Sequence, residues 1–194
     1  MNRLAAIAGL GAPSAYLATV LVGGALTPGY SHLTQPVSAL FQGSAPLAAP
    51  VSAAFVIYNL LLMAFAIGLF RTLPGPATMI QLNGAIGLVI ELFPMDAPGA
   101  AMSFAGAIHI GLAAALVLTC TLAMGWAALE YRARHPHLFW STLTLLAIML
   151  VAGGIAAQAA VIGWSWLGLF QRLTIAAYLV WVALLALTFE RRAT

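Results

Sequence analysis

Six long apolar stretches, almost free of charge, constrain this chain more than any other feature. They cover residues 5–26, 47–70, 78–93, 101–129, 138–163 and 167–189. A bilayer core about 30 Å thick needs roughly 20 apolar residues per helical span. In lipid each backbone polar group must be satisfied within its own segment, so each stretch is predicted to be a helix. The short alternating strands of a membrane barrel are absent from the sequence. With 63% hydrophobic and 6% charged residues, the chain departs far from the roughly 25% charge of soluble domains. That excludes a soluble enzyme, a nucleic-acid-binding domain and a disordered chain. The reading is an all-α polytopic membrane protein, a single six-helix transmembrane domain over residues 1–194. The third stretch is the shortest, near the lower limit for a span. The first continues to about Thr27 and is read as a retained helix rather than a signal peptide.

Orientation follows from the arginines, which supply all seven basic residues. Arg3, Arg71, Arg132, Arg134, Arg191 and Arg192 fall at the two ends and in the second and fourth loops. Only Arg172 falls on the other side. By the positive-inside bias both termini are expected in the cytoplasm of a bacterial inner membrane, with loops one, three and five outside. Small residues at helical spacing, Gly84/Gly87, Ala152/Ala156 and Gly153/Ala157, are expected to let helices pack closely. Loop one spans about residues 27–46. Within it Leu33, Val37, Leu40 and Phe41 share a helical face, Thr34 offers a cap and Pro36 a first turn. This predicts a short helix at the outer interface. Trp164 and Trp166 fit a belt at the same level.

On this topology the unusual polar residues gather on one side. His32 lies in loop one, Glu91 at the end of helix three, Asp96 in loop three, and Gln171 and Arg172 at the start of helix six. His109 lies roughly 12 Å below the outer surface, eight residues into its stretch at 1.5 Å per residue. Intramembrane ionisable groups are costly and seek partners. Arg172 is therefore expected to pair with Glu91 or Asp96. His109 can be an interhelical hydrogen-bonding group, a general base or a metal ligand. His32, His109 and one carboxylate would suffice for a metal, but no HExxH or HxH supports one. Only one His is buried, so a bis-His haem is not expected. Ser38, His109 and Asp96 can be written as a Ser–His–Asp set, without a GxSxG elbow. His135 and His137, flanking Pro136, read as a solvated cytoplasmic turn. The single Cys120 forms no intrachain disulfide.

Three pieces of text resemble the bacterial and archaeal membrane family catalogued as domain of unknown function 998. Tyr30-Ser31 precedes Pro36-Val37-Ser38-Ala39-Leu40, Gly43 and Pro46. Phe93-Pro94-Met95-Asp96 is followed by His109. Gly168-Leu169-Phe170-Gln171-Arg172 opens the last stretch. The resemblance covers about residues 9–189. It implies six inner-membrane helices with the motif residues outside, and no established reaction.

The expected function is an outward-facing polar pocket that binds a lipid or amphiphilic small molecule and acts on it where Ser38, Asp96 and His109 are catalytic. Arg172, Glu91, Gln171 and His32 would be its ligand-binding residues, with Arg172 on an anionic headgroup. No metal or nucleic acid is expected, and no cofactor is named. Membrane lipids, a membrane-protein partner or a second copy are the expected partners. The alternatives are an accessory subunit of a larger membrane complex and a small-molecule transporter. The transporter lacks paired broken helices in its two halves.

Overall fold

The computed structural model describes residues 3–97 and 99–190. The described residues form six long helices with no strand: α1 (Arg3–Leu26), α2 (Ala48–Leu69), α3 (Pro74–Ile90), α4 (Phe104–Tyr131), α5 (Pro136–Ile162) and α6 (Leu167–Glu190). Five of them, all but α3, are long and apolar enough to cross a membrane. The chain is a multi-pass membrane protein. Its outer face suits lipid: Phe104 is 82% and Val161 81% exposed, which water would not tolerate across a whole surface. The 17 residues of α3 make a rod of about 25 Å at 1.5 Å per residue. Arg191 and Arg192, which entered the charge count, lie outside the described residues.

Each helix packs on its chain neighbour, and α1 closes on α6, so the six form a ring. Short links reverse the chain, with prolines at the starts of α3 and α5, where their missing N–H is harmless. Small residues set the approach between α2 and α3. A Cβ on Gly87 would strike the side chain of Asn59, and one on Gly84 would sit 3.2 Å from the Asn59 carbonyl. Inside the ring lie Trp181, Phe65, Leu62 and Ile80, all fully buried. Buried polar groups are tied across helices. Asn83 Nδ2 donates to Leu116 O at 3.0 Å and Thr119 Oγ1 at 2.8 Å. Trp181 Nε1 donates to Thr142 Oγ1 at 3.2 Å.

Loop one differs from its sequence-based prediction. Only a single 3₁₀ turn forms, over Val37–Leu40. It begins after Pro36 with no side-chain cap, so Thr34 does not serve as one. Val37 and Leu40 are 4% and 0% exposed and belong to the core. A Pro-led segment this short gains more from two anchored apolar side chains and the Val37 amide's hydrogen bond to the Gln171 side chain than from helical propagation.

Candidate functional site

The three sequence motifs meet at one end of the ring. The start of α6 is bound to loop one through its main chain and side chains. Leu169 N donates to Leu33 O at 3.0 Å. Val37 N donates to Gln171 Oε1 at 2.8 Å. Arg172 Nη1 donates to Gln35 O at 2.9 Å and to Gly168 O at 2.8 Å, and Nη2 to the Tyr30 hydroxyl. The guanidinium also lies over the Tyr30 ring, 5.6 Å from its centre. The close fit requires glycine at position 168, because a Cβ there would stand 2.6 Å from Gln35 O and 2.7 Å from His32 O.

This arrangement corrects the expectation that Arg172 pairs with Glu91 or Asp96. Its acceptors are two carbonyls and a phenol, so main-chain dipoles take the place of an anion. The sequence could not reveal this, since carbonyl positions depend on the loop's path.

Asp96 has a separate task. Its Oδ2 accepts from Ser103 N at 2.9 Å, and Ser103, the N-cap of α4, accepts from Gly106 N at 3.0 Å. Hydrogen bonds from Ser103, its side chain first and then its amide, hold the Asp96 carboxyl below the usual aspartate range. A carboxylate at a helix N-terminus is also favoured by the helix dipole. A Cβ on Gly106 would collide with that carboxylate.

The carbonyl of Phe93, three residues earlier in the motif, lies 2.8 Å from His109 Nδ1. A carbonyl can only accept, so Nδ1 carries the proton and Nε2 offers its lone pair when the ring is neutral. The structure therefore does not join Asp96 to His109. The Ser38–His109–Asp96 set expected of a hydrolase is not assembled, because a main-chain carbonyl occupies the orienting position.

His109 is 6% exposed and lines a cavity of about 230 Å³ inside the ring. Ser38, Glu91 and Gln171 line the same cavity. Glu91, just past the end of α3, accepts from the Ser52 hydroxyl of α2. Deeper in the ring the lining includes Asn59, Asn83, Cys120 and Tyr178. The Tyr178 hydroxyl is buried beside the Cys120 thiol. Rings run along the wall from His109 to Phe41 (centres 6.0 Å apart), Phe41 to Phe55 (5.4 Å), Phe55 to Tyr16 (5.2 Å) and Tyr16 to Tyr58 (5.0 Å). Glu91 is the one formally charged side chain among the described lining residues.

His32 and Arg172 line a different, largely apolar cavity of about 360 Å³ between α1 and α6. Burial first, and the Arg172 charge second, hold the His32 ring below its ordinary pKa. Among the described residues no three His, Cys, Asp or Glu side chains come together as a metal site. Of the seven residues expected from sequence, four share the central cavity, two share the second, and Asp96 caps α4. Sequence reasoning missed Tyr16, Tyr58, Asn59, Asn83 and Tyr178. The available signal was mid-span asparagine and tyrosine, since tyrosines of membrane helices concentrate at the interfaces.

No curated protein and no solved structure is matched by this chain. A family model described as "Protein of unknown function (DUF998)" matches residues 10–188. That span holds all three motifs and every residue of the cavity, and the chain belongs to the DUF998 family.

Proposed function

We propose that this chain is an inner-membrane protein of six spans, both termini cytoplasmic, whose outward-facing pocket binds a lipid headgroup or an amphiphilic small molecule. One observation carries the reading. Loop one, α4, α6 and the end of α3 deliver Ser38, His109, Gln171 and Glu91 to a single cavity. Isolated polar groups are costly there, and their convergence beside an apolar wall is what a binding site for an amphiphile requires. At about 230 Å³ the space is smaller than the roughly 300–1,000 Å³ of drug-sized sites. It suits a headgroup or short chain, not a whole lipid. His109 Nε2 is the group that accepts a hydrogen bond, or a proton, from what enters.

The arginine asymmetry and the placement of loops one, three and five at one end support the orientation. An impermeant maleimide should label Ser44→Cys in intact cells and Arg134→Cys only after permeabilisation. The reverse pattern would overturn the orientation. For binding, native mass spectrometry of protein extracted gently from its own membrane is the test. A small-molecule adduct is expected on the wild type and absent from Ala113→Phe, which fills the cavity from α4. An equal adduct on both, or a bare wild-type chain, would refute the pocket. A retained polypeptide in its place would point to an accessory subunit.

A further inference from the structure

The charge and hydrogen-bonding character of the cavity go further than its shape, and the step rests on the cavity being an amphiphile site. Arginine does not line it: Arg172 lines the neighbouring cavity, across Tyr16 and Ile175, and its Nη1 and Nη2 are taken by Gln35, Gly168 and Tyr30. The chain has no lysine. The described lining thus contains no permanent cation to meet a phosphate or carboxylate. It contains one ionisable carboxyl group, Glu91, whose hydrogen-bonding partner is a neutral hydroxyl, that of Ser52. His109, tied through Nδ1 to Phe93 O, adds an acceptor. Between them and the interior runs the wall of Phe41, Phe55, Tyr16 and Tyr58. A carboxylate in a membrane bundle is stabilised by a cation, and aromatic faces attract cations directly, most where water is excluded.

We propose that the cavity takes the ammonium group of an amphiphilic amine, with its positive charge at Glu91 and its body along the aromatic wall. The group can arrive on a lipid headgroup or on a free alkylamine, and the chemistry of recognition is the same.

The test uses the full chain in uncharged maltoside micelles, with decylammonium, decanol and decyl sulfate as probes and native mass spectrometry as readout. Decylammonium should bind about tenfold or more tighter than decanol, as expected for a desolvated charge pair with added cation–π attraction. Glu91→Gln, which keeps a partner for Ser52, should reduce decylammonium to the decanol level. If Glu91→Gln fails to fold, Phe41→Leu should weaken decylammonium about fivefold and leave decanol unchanged. In mixed phosphatidylethanolamine and phosphatidylglycerol vesicles, enrichment of the ethanolamine lipid on wild type but not on Glu91→Gln assigns the lipid source. Decylammonium selectivity without that enrichment assigns a free amine. Equal binding of all three probes, abolished by Ala113→Phe, would overturn the ammonium assignment and leave the amphiphile pocket standing. No probe binding at all would overturn both.

Discussion

Gly168→Ala is expected to destabilise the protein although it adds one methyl group to a helix. The new Cβ would lie 2.6 Å from Gln35 O and 2.7 Å from His32 O. Both are main-chain atoms, so no side-chain rotation relieves the contact. Restoring ordinary van der Waals separation requires loop one to move from α6 by about 0.7–0.8 Å. That displacement stretches the Leu169–Leu33 bond, now 3.0 Å, beyond useful range. Overpacking costs about 1–3 kcal/mol, and a lost hydrogen bond about 0.5–1.5 kcal/mol. Replacing glycine in a helix returns at most about 1 kcal/mol. The net loss is about 0.5–3.5 kcal/mol. Gly154→Ala is the internal control, since its Cβ meets nothing within 4 Å and only the propensity gain remains. The propensity gain is common to both variants, so they should differ in melting temperature by about 3–18 °C, at roughly 2–4 °C per kcal/mol for a chain of this size. Detergent-solubilised protein, melted and counted by size-exclusion chromatography, gives the comparison. Gly168→Ala melting at or above wild type would refute the close contact between loop one and α6.

Three further outcomes follow from the same contacts. Gln171→Leu leaves the Val37 amide, now 2.8 Å from Gln171 Oε1, without an acceptor and should cost about 1–3 kcal/mol in a thermal melt, while Gln171→Glu should retain most of the stability. Thr142→Val removes the partner of Trp181 Nε1 with little change of shape and should cost about 0.6–1.7 kcal/mol, the range for polar contacts between membrane helices; no change in melting would mean the pair contributes nothing. Asp96→Ala should lower the melting temperature at pH 7, and the gap to wild type should narrow as pH falls through the folded pKa, below the ordinary 3.8, because a depressed carboxyl stabilises the fold only while ionised; a gap constant down to pH 3 would refute the cap.

The helices were legible because lipid leaves the backbone no other solution, and their ends were misjudged by only a few residues, Pro74 for Thr78 and Phe104 for Ala101. A short helix beside Pro36 was legible in loop one, but its 3₁₀ form and its burial were not. Its apolar spacing mimics an amphipathic helix, and what overrides that pattern is Gln171, 134 residues away from Val37. The one-sided distribution of polar residues located the end of the molecule where Ser38, Glu91, His109 and Gln171 converge. It could not tell which of them face one another, because Arg172 and His32 line a second cavity, between α1 and α6. Nor could it show the aromatic wall. Tyr16 and Phe55 sit in apolar stretches where lipid-facing and cavity-facing residues have the same composition, and only the closure of α1 on α6 separates them.

The motifs read in the sequence are therefore chiefly means of construction. Gly168, Gln171 and Arg172 hold loop one against α6, while Asp96 and the Phe93 carbonyl hold α4 and the His109 ring. Their loss would disturb any ligand in the cavity by moving its walls, so an inactive Asp96 or Arg172 variant would not identify a group that touches the ligand. Glu91 differs in kind. Its hydrogen bond to Ser52 survives replacement by glutamine, so Glu91→Gln removes a charge and leaves the architecture in place. A variant that melts like wild type and loses only its preference for a cationic probe separates recognition from scaffolding. Asp96, His109, Gly168, Gln171 and Arg172 do not permit that separation, because each contacts main-chain atoms that the fold itself requires.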